Sequence, residues 1–145
     1  MSRATRFSVA VHTLALLERF SKDHPTSEMI AGSVGTNASF IRRVLSLLAR
    51  AGLVRSSAGI AGTDLARPPH KITLLDVYRA VGLQDEHRPG IHREPNPSCF
   101  VGRRIQGALE TVIGAAEGAF EKELRGRTLA DVMRLIEAQA ARKIP

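Results

Sequence analysis

The run Asn37-Ala38-Ser39-Phe40-Ile41-Arg42-Arg43-Val44-Leu45-Ser46-Leu47-Leu48-Ala49-Arg50-Ala51-Gly52-Leu53-Val54 holds a helix start, an amphipathic body, a stop and the first residues of a strand. Phe40, Ile41, Val44, Leu45, Leu47 and Leu48 recur at helical spacing, and Asn37 or Ser39 can accept from the unpaired N–H groups of the first turn. Gly52 is the stop, because glycine takes the left-handed conformation after a helix at least cost. Arg42 and Arg43 fall between the apolar positions, so at least one of them projects away from the face of Phe40, Val44 and Leu47. The helix is apolar within and cationic without.

Toward the N-terminus, residues 5–22 place Phe7, Ala10, Val11, Leu14 and Leu17 on one helical face. His24 and Pro25 end that helix, since proline disfavours helical geometry in the residue before it. Thr26 or Ser27 then caps a short helix that runs to about Val34 and stops at Gly35. Two short helices joined by the link Gly35-Thr36-Asn37-Ala38, the second one cationic, form a helix-turn-helix pattern. Toward the C-terminus, Leu53-Val54-Arg55-Ser56 reads as a short strand and Ser57-Ala58-Gly59-Ile60-Ala61-Gly62 as a flexible tip. Thr63-Asp64-Leu65-Ala66 returns, closed by Pro68 and Pro69. Three helices followed by such a hairpin predict a winged helix, in which the third helix enters the major groove of duplex DNA and the wing lies along the adjacent backbone.

Beyond the wing, Thr73 followed by Asp76 marks the start of a fourth helix by capping-box spacing. Residues 82–97, with Gly82, Pro89, Gly90, Pro95 and Pro97, read as a loop. A long helix is predicted over residues 98–124, about 40 Å at 1.5 Å per residue, with Val101, Ile105, Leu109, Val112 and Ala115 on its apolar side. Gly107, Gly114 and Gly118 fall near one face, where missing side chains allow another helix to approach. Val101, Ile105, Leu109, Val112, Gly114, Ala115 and Gly118 are therefore the candidate dimer interface. Gly126 ends the segment, and Thr128 with Asp131 repeats the cap for a final helix. The predicted organisation is a winged helix-turn-helix domain over residues 1–82, a loop over 83–97 and dimerisation helices over 98–145. The fold class is mainly α.

The 145 residues carry a formal charge of +7 and 43% apolar residues, enough for one core. The charge is unevenly placed: residues 1–72 hold ten Lys or Arg against four Asp or Glu, and residues 73–145 hold eleven against ten. The cationic excess thus sits with the winged helix, where a polyanion would need it. No apolar run approaches the roughly 18 to 20 residues of a membrane span, and Arg3 and Arg6 lie inside a helical pattern, so a cytoplasmic location is expected. No phosphate-binding glycine loop, paired metal-binding histidines or nucleophile motif is present, so an enzyme is not expected.

The order and spacing of several strings resemble the Rrf2 family of bacterial winged-helix regulators. They are residues 40–45 and 48–54 quoted above, Leu65-Ala66-Arg67-Pro68, Ile72-Thr73-Leu74-Leu75-Asp76-Val77 with Arg79-Ala80-Val81, and Thr128-Leu129-Ala130-Asp131-Val132. The resemblance spans nearly the whole chain and implies a homodimeric transcription regulator, with repression the expected sign. Cluster-bearing members carry three closely spaced cysteines before the long helix, whereas this chain has only Cys99. It looks like a subgroup without the iron–sulfur cluster, so no cofactor and no metal site is expected. His87 and His92 beside Cys99 are the only side chains that would suggest a metal shared between subunits.

Duplex binding takes affinity from phosphate contacts and sequence choice from contacts to base edges. Thr36, Asn37, Ala38 and Ser39 open the third helix, where backbone N–H groups and short polar side chains can meet phosphates or bases. Arg42 and Arg43 follow as candidate base readers. Ser2, Arg3, Thr5, Arg6, Arg55, Ser56, Ser57, Gly59 and Gly62 are candidate phosphate contacts, the glycines by close backbone approach. Cys99 is expected in the first turn of the long helix, where the dipole favours a thiolate and Arg103 lies one turn on, and is the candidate redox sensor. The inducer, an oxidant or a small molecule, has no signature here. The rival reading is a winged helix that binds another protein rather than DNA.

Overall fold

The computed structural model describes residues 5–84 and 86–142. Helix α1 (Arg6–Arg19) is followed by a short 3-10 turn at Ser21–Asp23, then α2 (Ser27–Val34) and α3 (Ala38–Arg50). The Thr26 hydroxyl accepts from Met29 N–H and the Asn37 side chain from Phe40 N–H, so each helix starts where a side-chain oxygen satisfies its first turn. Gly35 (φ +85°) and Gly52 (φ +74°) end α2 and α3 in left-handed geometry.

The wing is narrower than its sequence suggests. Strands β1 (Val54–Arg55) and β2 (Asp64–Leu65) pair antiparallel, Val54 opposite Leu65 and Arg55 opposite Asp64. One further bond, from Ala66 N–H to the Leu53 carbonyl, extends the ladder. Ser56 and Thr63, predicted as strand, belong to the tip. The wing is pinned to the body rather than free: a Cβ at Gly62 (φ +93°) would lie 2.2 Å from the His24 carbonyl oxygen. The His24 ring meets Asp64 at 3.2 Å.

Helix α4 (Leu74–Ala80) has a complete Thr73/Asp76 capping box. The long helix, α5 (Ile105–Arg125), is shorter than predicted, about 31 Å over 21 residues. Residues 98–104 form successive turns instead of its first two turns. Asn96 causes this: its side chain accepts from Ser98 N–H and its carbonyl from Cys99 N–H. Its backbone also crosses Gly102 so closely that a Cβ there would lie 2.3 Å from the Asn96 oxygen. Val101 and Cys99 therefore precede the helix, correcting both placements. The irregular chain after α4 likewise extends past residue 97 to 104.

Helix α6 (Leu129–Ala141), capped by Thr128 and Asp131, folds back onto α1. The Asp131 carboxyl is held below the usual carboxylate range, chiefly by the Thr128 backbone N–H. Leu129 is fully buried in the same cluster as Leu14, Leu17, Ile30, Ile41, Leu48 and Ile72. Each such side chain contributes about 2 kcal/mol of transfer free energy, and together they lock α1 to α4 and the wing base into the frame that carries α3.

Candidate nucleic-acid interface

The buried side of α3 is Phe40, Ile41, Val44 and Leu48, so the pattern that folds the helix also fixes what it turns outward. Ser39, Arg42, Arg43, Ser46 and Arg50 are exposed. An open groove of about 320 Å³ runs along this side, lined by Arg6, Phe40, Arg43, Ser46, Leu47 and Arg50. Arg50 stands seven residues beyond Arg43, two turns on along the same side, and is a cation of this groove that the sequence reading did not single out. The Arg43 guanidinium lies 5.5 Å from the centre of the Phe40 ring. Arg42 leans the other way, 3.7 Å from Glu28 of α2 with both side chains mostly exposed. Such a pair is held by well under about 1 kcal/mol, so it does not keep Arg42 from a better anion.

Asn37 spends its side-chain oxygen on the Phe40 cap, while Thr36 and Ala38 are half-buried beside it. Arg6 donates to the Val81 carbonyl at 3.1 Å, which ties the start of α1 to the end of α4 and holds its guanidinium at the rim of the α3 groove. Thr5 is exposed at the start of α1. Arg3 and Ser2 lie outside the described residues. On the wing, Arg55, Ser56, Ser57 and Gly59 are exposed. Gly62 is half-buried, and the close approach that it makes is to His24.

Arg67, which sequence reasoning used only for resemblance, braces this arrangement. It lies 3.5 Å from the Asp76 carboxylate and donates to the Ala51 carbonyl at 3.4 Å, linking wing exit, α3 end and α4 start.

No residue of α5 is fully buried. At 100° per residue, Ile113, Phe120 and Leu124 share the side toward α4, with Phe120 edge-on to Tyr78 at 5.3 Å. Ile105 and Leu109 are half-buried at its margin, and Val112 is 66% exposed. The other side carries Ala108, Thr111, Ala115 and Gly118, all exposed. A Cβ at Gly107, Gly114 or Gly118 would meet nothing within 4 Å. The large apolar side chains Ile113, Phe120 and Leu124 thus face the body, and the outward side is built of small residues from Ala108 to Gly118.

Cys99 is exposed, and its thiol is lowered by N–H groups of Gly102 and then Val101. None of the described helices is long and apolar enough to cross a membrane.

Comparison with known proteins gives this geometry a family. The model of the Rrf2 family, described as "Iron-dependent Transcriptional regulator", matches residues 3–135. YwnA of Bacillus subtilis (strain 168), named as an HTH-type transcriptional regulator, is 43% identical over 129 residues, covering 89% of this chain and 95% of its own. A crystal structure described as that of a DNA binding protein superposes with a TM-score of 0.71 at 40% identity, over 88% of this chain and 98% of that one. IscR of T. potens shares the fold with a TM-score of 0.70 at 22% identity, over 97% of this chain and 91% of its own. Iron–sulfur clusters are held mainly by cysteine thiolates. This chain has one cysteine, and among the described residues no three His, Cys, Asp or Glu side chains are grouped to hold a metal ion. His87 has its Nδ1 engaged by the Tyr78 hydroxyl. The donor set does not fit such a cluster within one chain. On this evidence the chain belongs to the Rrf2 family of transcriptional regulators.

Proposed function

We propose that this regulator binds duplex DNA sequence-specifically as a homodimer, without a cofactor and without enzymatic activity. The observation that carries this reading is the cationic groove of α3, where Arg43, Arg50 and Arg6 gather beside an exposed wing. Arg42 and Arg43 read base edges in the major groove. Arg50, Arg6, Arg55, the Thr36 side chain and the N–H groups from Asn37 to Ser39 hold phosphates, with Ser56, Ser57 and Gly59 on the flanking backbone. The small-residue side of α5 packs against its symmetry mate and sets the distance between two α3 helices. A dimer seated on a promoter excludes polymerase by occupancy, so repression is the proposed sign.

Salt dependence tests the core of this. Neutralising about six to ten phosphates makes duplex affinity fall roughly 10³- to 10⁵-fold between 50 and 200 mM salt. A chain that ignores duplex at low salt, and instead binds a protein partner with little salt dependence, would establish the rival interaction module.

A redox response rests on Cys99, which is exposed and tilted toward thiolate by two backbone N–H groups. Its attack on the O–O bond of a peroxide forms sulfenic acid and releases hydroxide or water, placing a new oxygen in the turns that lead into α5. Peroxide is expected to weaken operator binding about tenfold in the parent and to leave Cys99→Ser unaffected. Equal responses in the two proteins would remove Cys99 from the mechanism.

A further inference from the structure

The loop after α4 returns along α5 and is fastened to it at three levels. Gln106 donates to the His92 carbonyl at 3.1 Å. Arg88 reaches Glu110 and Glu117 with separate nitrogens, each at 2.5 Å. At the third level the His87 ring lies between the body and the long helix. Its Nδ1 is 2.7 Å from the Tyr78 hydroxyl of α4, and its face stacks on Phe120 of α5 at 4.1 Å and 23°. Phe7 of α1 meets Tyr78 edge-on at 5.7 Å. His87 Nε2 is buried with no hydrogen-bond partner among the described residues.

We propose that the Tyr78–His87–Phe120 stack is a proton-operated clasp between the DNA-reading body and the dimer helix. With Nδ1 accepting from the Tyr78 hydroxyl, the neutral ring carries its single hydrogen on the buried Nε2. A second proton enters at Nδ1, where it displaces that accepted hydrogen bond and puts a positive charge on a ring whose buried Nε2–H has no acceptor, which is far more costly. Among the described residues the carboxylates that α5 turns toward the ring are already engaged. From α5, Glu110 and Glu117 are taken by Arg88, and Glu121 is shared by Arg79 of α4 at 3.5 Å and Arg125 at 4.0 Å. Arg6 of α1 is on the Val81 carbonyl. Within the loop Arg88 adds a like charge, and Glu86 has an interaction of its own. Protonation therefore favours the ring in water, so the clasp is closed while the ring is neutral and opens when the ring takes up a proton.

The consequence for DNA rests on the dimeric reading above. Tyr78 and Val77 are buried in the body core, whereas Phe120 belongs to α5, so an open clasp unfixes α5 relative to α3. Two reading helices without a fixed spacing bind paired half-sites less tightly.

Tyr78 is the only tyrosine and the chain has no tryptophan, so intrinsic emission reports the clasp without DNA. The parent is expected to show one sigmoidal change in tyrosine emission between about pH 8 and 5. Over that range operator affinity should drop about tenfold further than in His87→Gln. Glutamine keeps an acceptor for Tyr78 but carries no titrating proton, so His87→Gln should give flat emission. Circular dichroism at both pH values confirms that the variant is folded, and His87→Phe supplies a second non-titrating ring. Flat emission in the parent, or the same transition in both variants, overturns the clasp. An emission transition with identical pH profiles for operator affinity overturns its regulatory role. A chain that binds no duplex at any pH would instead sink the proposed function, and emission would still decide the clasp.

Discussion

Arg42→Ala combined with Arg43→Ala is expected to lower operator affinity by at least a hundredfold while leaving the fold intact. A bidentate arginine at a guanine is worth about 1 to 3 kcal/mol of discrimination. Two such losses reach about 2 kcal/mol per half-site even at the low end, the two half-sites of the proposed dimer double that to about 4 kcal/mol, and each 1.4 kcal/mol is about tenfold. Neither side chain supports the core. Arg42 is 54% exposed with only a long, exposed pair to Glu28, and Arg43 lies over Phe40 from outside. Alanine is moreover the best helix former, so thermal stability should move by under about 1 kcal/mol. Fluorescence anisotropy on a selected operator and on an unrelated duplex reads both parts: affinity for the operator collapses toward that for the unrelated sequence. Retained preference for the operator in a folded double variant would place sequence reading somewhere other than α3.

The reading of α3 was available from sequence because one short-range pattern does two jobs. Residues three and four apart bury Phe40, Val44 and Leu48, and what lies between is forced outward. Asn37, Gly35 and Gly52 add caps whose chemistry is local, and the observed cap and left-handed angles follow directly. The start of α5 was not legible for the opposite reason. The apolar periodicity continues through Val101, but Asn96 and Gly102 meet in a backbone contact that no periodicity encodes. Gly62 was read as a tip glycine open to a phosphate, yet its closest neighbour is His24, thirty-eight residues earlier. Arg67 and the His87–Arg88 fastening were invisible as well. Each joins elements distant in sequence, and an arginine or histidine in a loop says nothing of which carboxylate or ring it will find. Arg50 could have been found, since its spacing of seven from Arg43 returns to the same side of the helix.

Ala115→Glu on α5 is expected to convert the protein to a monomer and weaken binding to paired half-sites far more than binding to a single half-site. Ala115 is exposed, between Thr111 and Gly118 on the side away from the body. A glutamate at this exposed position replaces no buried contact of its own chain and is itself a good helix former. In a two-fold interface the substitution enters twice, setting two like charges at a close helix crossing. Leaving a buried charge uncompensated costs about 3 to 5 kcal/mol. The dimer dissociation constant should therefore rise by about a thousandfold or more, which light scattering across a dilution series measures directly. On DNA, the second half-site is normally bound at the effective concentration set by the first, and a monomer loses that advantage entirely. Paired-site affinity should fall to that of the isolated half-site, with the contacts of α3 to each half unchanged. A variant that remains dimeric would mean that the small-residue side of α5 faces solvent, and that another surface sets the spacing of the two reading helices.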